Sequence, residues 1–338
     1  MNATLSRRRL LSLLIGAGSL VVAAAPLPGL RRPLLVSVGS ELAGAMAEIE
    51  PLFEDRQGGI DLQWRVQGSQ DMMNRAQEES PERPRVLIPA SRDLLDQFAA
   101  DLGGRGEPDP FLRAPVPIAR TLLVAVAWPE RARRLFPDSR FSWPLLRRAT
   151  EAGQWGVLGA PASWGSIDLR STDPLRSNSG QLSLALWCRG QEGRACAAAL
   201  RRAVYRPARS TDILLQEFIS GGPNEGDLAM VYEASALNRQ GEARRQRPGG
   251  YVLLFPDPTF ETTLAAAVLR GQAVGRADDG EHFVAFLRSA AGQAVLARQG
   301  FRGVDGRGGS PAAGGVRRLS PPTPQQREEL LRFWQQAG

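Results

Sequence analysis

The sequence predicts an α/β protein of two lobes. Three features carry this: a strand-turn-helix unit repeated three times near the start, a break with two prolines after it, and a second alternation of strands and helices beyond the break. At 338 residues the chain is long enough to bury two separate cores.

Residues 34–38 form a short apolar strand ending at Gly39, Ser40 and Glu41; Leu42, Ala45, Met46, Ile49 and Phe53 then recur at helical spacing. Residues 60–66 alternate as a half-buried strand does, end at Gly68, Ser69, Gln70 and Asp71, and lead into a second helix. Residues 86–89 are a third strand, followed by Ser91, Asp93 and a helix carrying Leu94, Leu95, Phe98 and Leu102. Alternating strands and helices make a parallel sheet, and the carboxyl ends of its strands line the binding crevice. Ser40, Ser69 and Ser91 therefore share one edge. Glu41, Asp71 and Asp93 fall in first helical turns, where a carboxylate compensates the dipole, and are expected to point away from the crevice.

Pro115 and Pro117 break the pattern, and 111–128 is expected to cross into the second lobe. Helical segments at 130–152 and a strand at 155–160 lead to the turn Ser171, Thr172, Asp173, Pro174, Leu175, Arg176, Ser177, Asn178, Ser179, Gly180. Asp173-Pro174 redirects the chain, and Ser177, Asn178 and Ser179 are all N-cap types before one apolar helix. One cap is needed, so two polar residues are left over beside the unpaired N–H groups of the helix start, where anions are favoured. Helices follow at 178–189, 193–204 and 210–219, then a loop at 221–224 and a strand at 227–232 ending in Tyr232. The strong strand 251–256 is expected to cross back, with helices at 261–270, 277–289 and 290–299 after it. A Gly/Pro-rich wrap at 303–324 precedes an amphipathic helix with Leu330, Leu331 and Trp334 as its apolar stripe. The division is 33–115 with 250–338 for lobe one and 116–249 for lobe two.

Residues 1–25 have the form of an export signal: Arg7, Arg8 and Arg9, an apolar run 10–22, and Ala23-Ala24-Ala25 as a cleavage site. The arginines and the residues around them are twin-arginine-like. No Cys lies near the cleavage site, which argues against a lipoprotein anchor, and no later run is long and apolar enough to span a bilayer. The expectation is a periplasmic protein. Its two cysteines, Cys188 and Cys196, are either paired, as an oxidising compartment permits, or two small buried thiols.

All 42 basic residues are Arg, so Schiff-base, Ser-Lys and Walker A chemistry are excluded. The net charge of +7 drops to about +4 without Arg7, Arg8 and Arg9, and no basic block alternates with aromatics, so no nucleic-acid partner is expected. His282, the single His, sits in a helical segment far from the serines, no G-x-S-x-G elbow is present, and one His with two Cys makes no zinc set. Neither an enzyme nor a metal or cofactor site is expected.

The chain resembles the bacterial extracellular solute-binding proteins of ABC transporters, in the two-lobed class of the molybdate-, sulfate- and phosphate-type binding proteins. The resemblance rests on Val38-Gly39-Ser40, Gly68-Ser69, the turn from Asp173 to Gly180, Val231-Tyr232-Glu233, and the tail from Phe286 to Arg302, and covers roughly 33–310. It implies two Rossmann-like lobes joined by two crossing strands, the periplasmic binding protein type II-like arrangement, with a ligand clamped between them. It also implies an oxyanion held by Ser40 and Ser69 from lobe one, joined at the same sheet edge by Ser91, and by Ser177, Asn178, Ser179, Gly180 and Tyr232 from lobe two. The partners implied are a small anion and a membrane permease, with the protein working as a monomer. Acids flank the serines and Glu233 follows Tyr232, which leaves room for a cation or a small organic solute, as in a ligand-sensing receptor domain.

Overall fold

The computed structural model describes residues 31–78, 80–191, 193–204 and 206–337; the expected export signal lies outside them. Lobe one opens with β1 (Arg32–Val38), a 3-10 turn (Ser40–Leu42), α1 (Ala43–Arg56), β2 (Ile60–Val66), α2 (Ser69–Gln77), β3 (Val86–Ile88) and α3 (Arg92–Gly104). β1 lies parallel to β2 and to β3, with Leu34 beside Leu62 and Val38 beside Ile88. The carboxyl ends of all three strands share one edge, as the repeated unit requires. The face beneath is closed by Phe53, whose ring meets Phe283 and Phe286 at 5.1 and 5.5 Å between centroids.

β4 (Val116–Ala127) carries the chain across. Its first half pairs antiparallel with β8 (Thr259–Val268), and its second half with β6 (Leu228–Tyr232) and β7 (Val252–Leu254). β8 also reaches β3, and the short β5 (Leu169–Arg170) lies parallel to β6, so the strand order runs β2-β1-β3-β8-β4-β6-β5 through both lobes. Lobe two packs α4 (Pro129–Leu135), α5 (Trp143–Ala152), α6 (Asn178–Trp187), α7 (Gly193–Ala203), α8 (Thr211–Gly221) and α9 (Glu233–Gln246) around that end of the sheet. Trp155 and Trp187 are fully buried there, and Trp128 stacks on Phe218 at 4.8 Å. α10 (Ala277–Arg288) and α11 (Ala290–Arg298) return to lobe one, and β9 (Arg318–Leu319) and α12 (Pro324–Gln336) end the chain.

Four expectations are corrected. Residues 251–256 do not cross back: β7 pairs with Ala125, Val126 and Ala127 of β4 within lobe two, and β8 makes the crossing. Residues 261–270 are not a helix. Leu264, Ala265, Ala266 and Ala267 have high helix propensity, yet they sit between β3 and β4 with both faces buried, where burial and pairing override propensity and erase the alternation that marks a strand. Residues 155–160 form a 3-10 turn (Trp155–Leu158) ended by Gly159 at φ +68°, because β5 already occupies the place beside β6. The tail assigned to lobe one is divided, since α12 packs on α6 and α7 of lobe two.

Cys188 and Cys196 are joined by a disulfide, which settles the alternative that sequence left open and ties the end of α6 to α7.

Candidate functional site

The hydroxyl-rich turn is built first by its own backbone. The Asp173 carbonyl accepts from Arg176 N and Ser177 N at 3.0 and 2.9 Å, and Asp173 Oδ1 accepts from Leu175 N at 3.0 Å. Ser177 takes the N-cap position of α6 without capping it by its side chain. Its Oγ lies 3.1 Å from Ser179 Oγ, which is also 2.8 Å from both Thr172 Oγ1 and Thr211 Oγ1. One hydroxyl has one proton and two lone pairs, so three hydroxyl neighbours fill the capacity of Ser179. A Cβ at Gly180 would stand 2.5 Å from the Thr172 carbonyl, so Gly180 is where the turn lies against the helix.

Asn178 points elsewhere. Its Nδ2 donates to Tyr232 Oη at 2.9 Å, and its Oδ1 accepts from Arg327 Nη1 of α12 at 3.3 Å. Tyr232 ends β6 and is buried; burial, and then the nearby Glu41 charge, push its phenol well above the usual range. Glu41 stands in lobe one, directly after Ser40, so this coupling spans the two lobes. Its side chain folds back over Gly39, where a Cβ would lie 2.3 Å from Glu41 Oε1. That oxygen is sealed from solvent with no hydrogen-bond partner among the described residues, and burial raises the carboxyl to about 7.

On the lobe-one edge, Ser69 Oγ accepts from Ala90 N at 3.3 Å, which ties the second and third turns together. Ser91 N-caps α3 and donates to Asp93 Oδ2 at 3.0 Å. Gly68 brings lobe one against lobe two, since a Cβ there would come 3.0 Å from the Arg176 carbonyl. Beside this contact lies a cavity of about 610 Å³ lined by Ser40, Gln67 and Asp71 from lobe one and Arg209, Ser210 and Asp212 from the loop leading into α8 and its first turn.

A family model described as bacterial extracellular solute-binding protein matches residues 34–302. The chain belongs to this family. Solved structures similar to the solute-binding protein include a periplasmic thiamin binding protein (15% identity, TM-score 0.67, covering 91% of this chain and 96% of that one). Others are iron-bound HitA from Pseudomonas aeruginosa (18%, TM-score 0.63, 91% and 99%) and the sulfate-binding protein SubI from Mycobacterium tuberculosis H37Rv (16%, TM-score 0.57, 89% and 96%). At these identities the likeness shows the fold. No curated protein matches the sequence.

Within this solute-binding protein, Ser40, Ser69 and Ser91 fall on one edge, and Asn178 and Tyr232 bond each other opposite it. Ser179 is taken up in holding the turn, Gly180 lies against it, and among the described residues the Ser177 hydroxyl has the one partner Ser179. The carboxylates do not all point away: Glu41 approaches Tyr232, and Asp71 lines the cavity. Glu233, whose charge counted against an anion, is bound by Arg302 Nε and Nη2 at 2.7 and 2.6 Å and by Ser310 N at 2.7 Å. It is a paired buried ion, not a free charge facing a ligand. Arg327 escaped the sequence reading, though a signal existed: it precedes Leu330, Leu331 and Trp334 by three, four and seven positions, on the apolar face of its helix.

Proposed function

We propose that this protein captures a small solute bearing an anionic group, an inorganic oxyanion in the simplest case, between its two lobes in the periplasm and delivers it to the permease of an ABC importer. The observation that carries this reading is the meeting of donors from separate parts of the chain, Asn178, Tyr232 and Arg327, opposite the serine edge of lobe one. Neutral donors and a guanidinium hold an anion, and neutralisation of Glu233 by Arg302 takes away one of the charges opposed to it. The Cys188–Cys196 disulfide accords with an oxidising compartment, as does the Arg-rich, apolar start of the sequence. No cofactor enters this function, and one copy of the chain suffices for it.

A second reading, a small organic solute, is favoured by one feature. Among the described residues Glu41 Oε1 has no partner, and it calls for a hydrogen-bond donor on the ligand, which a fully deprotonated oxyanion lacks. Thermal melts of the exported protein with phosphate, sulfate, molybdate and thiamine separate the two. A ligand at a hundred times its Kd adds about 2.7 kcal/mol. A rise with an inorganic anion supports the first reading; a rise with thiamine alone supports the second.

A further inference from the structure

The helix that carries Arg327 lies wholly beyond residues 34–302, the part of the chain that matches the family. Its start is sharply specified. Thr323 Oγ1 accepts from Gln326 N at 3.3 Å, Gln326 Oε1 accepts from Thr323 N at 3.0 Å, and Pro324 takes the first helical position. Arg327 is the residue after this capping box, so its place is fixed by the helix start. The other end is anchored as firmly. Arg201 Nη1 donates to the Trp334 carbonyl at 2.8 Å, and Phe333 packs where a Cβ on Gly193 would stand 2.3 Å from its ring. α12 is thus docked on the two helices that the disulfide joins.

Arg327 is only 6% exposed. Its described hydrogen bond is the one to Asn178 Oδ1, and among the described residues no carboxylate comes within ion-pairing distance of it. Asp93 of lobe one and Tyr232 of lobe two are both close enough to act on its charge. A guanidinium offers five donors in a planar fork, stays charged at any physiological pH, and is unfavourable to bury without an anion beside it. The turn residues cannot supply that anion, because Asn178 and the serines are neutral, and Asp93 acts only from beyond ion-pairing distance.

We propose that α12 is a working part of the binding site: Arg327 supplies the fixed positive charge that meets the anionic group of the solute, and Asn178, held between Arg327 and Tyr232, sets the position of the fork. This rests on the reading of the cleft as an anion site and narrows it to groups with two acceptor oxygens side by side, a carboxylate, phosphate or sulfate.

The test is calorimetric titration of the exported full chain with phosphate, sulfate, acetate and, as a cationic control, thiamine, for the parent, Arg327→Met, Arg327→Lys and the exposed neighbour Glu328→Gln. For the anion that the parent binds, Arg327→Met lowers affinity roughly ten- to a hundredfold, Arg327→Lys falls between, and Glu328→Gln stays within twofold. With no anion present, Arg327→Met melts no lower than the parent, because it removes an unpaired buried charge; a merely structural arginine would lower it. Parent affinity in Arg327→Met overturns this inference and leaves the anion site standing. Binding of thiamine but of no anion by the parent overturns both. Where Arg327→Met does not fold, Arg327→Lys decides: weakened anion binding at an unchanged melting temperature supports the role, and parent affinity overturns the fork.

Discussion

Ser179 and Asn178 are adjacent, both buried, and have different tasks. The Ser179 hydroxyl has three hydroxyl partners within 3.1 Å and none of its capacity is left for a solute. Ser179→Ala leaves Thr172 and Thr211 short of a partner and is expected to cost about 1–3 kcal/mol of stability with affinity held within twofold. Asn178→Ala and Tyr232→Phe act on the proposed site and are expected to lower affinity about tenfold or more. Denaturant melts beside titrations with the best anion of the panel check this, and a large affinity loss in Ser179→Ala would show that the hydroxyl cluster opens to the ligand. Glu41 gives a pH dependence. Its folded-state value of about 7 is above the ordinary carboxyl range, so the folded protein holds this proton longer than the unfolded chain does. Its contribution is therefore greatest below about pH 4.5 and is lost as pH rises through about 7, by about 3 kcal/mol. Glu41→Gln should flatten that fall, and the parent and variant should differ most at pH 8 in melts across pH 5–8. The orientation of Glu41 was not legible in the sequence: a first-turn acid serves the helix dipole equally well facing in or out. The pairing of Glu233 with Arg302 was hidden for another reason, since the partners are far apart in the chain and meet only after α9 and the tail have docked.

At the scale of elements, the strand-turn-helix units of lobe one were legible because each strand ends in a turn with Ser, preceded by Gly in the first two, and each following helix repeats its apolar residues at the right period. β8 was not, because a strand buried on both faces loses alternation, and its alanines speak for a helix when heard alone. The start of α6 was legible as a turn, but the division of its polar residues into packing and contact depended on Thr172 and Thr211, which only the fold brings beside Ser179. The α6–α7 pair carries the element-scale prediction. Cys188 and Cys196 close a short loop, and the chain-entropy account gives about 2–3 kcal/mol for such a bridge. Cys188→Ser with Cys196→Ser should lose about that much in denaturant unfolding. Because α12 rests on the same two helices, anion affinity should fall in the double variant as well, and equal affinity at lower stability would separate the bridge from the placement of Arg327.

At the scale of the whole molecule, the sheet makes one path through both lobes, and β4 and β8 are the strands that carry it across. Their antiparallel pairing from Val116 to Leu122 is the link, and beside it Arg120 and Arg302 exchange backbone hydrogen bonds of 2.9 Å in both directions. Arg302 also grips Glu233, so the tail of lobe one is fastened to the first turn of α9 next to Tyr232. The lobes are therefore expected to turn about this edge while Tyr232 stays fixed to it, and to part at the far edge, where Gly68 meets the Arg176 carbonyl. A solute touching both lobes favours the closed arrangement by its differential affinity. Small-angle scattering should accordingly show a smaller radius of gyration when the protein is saturated with a ligand identified in the titrations. Gly68→Val, which thrusts a branched side chain into the Arg176 contact, should weaken binding and keep the radius closer to the ligand-free value. An unchanged radius at saturation would mean that the lobes are already as close as they come, and that the solute enters through the cavity lined by Ser40, Gln67 and Ser210 with no movement of β4 or β8.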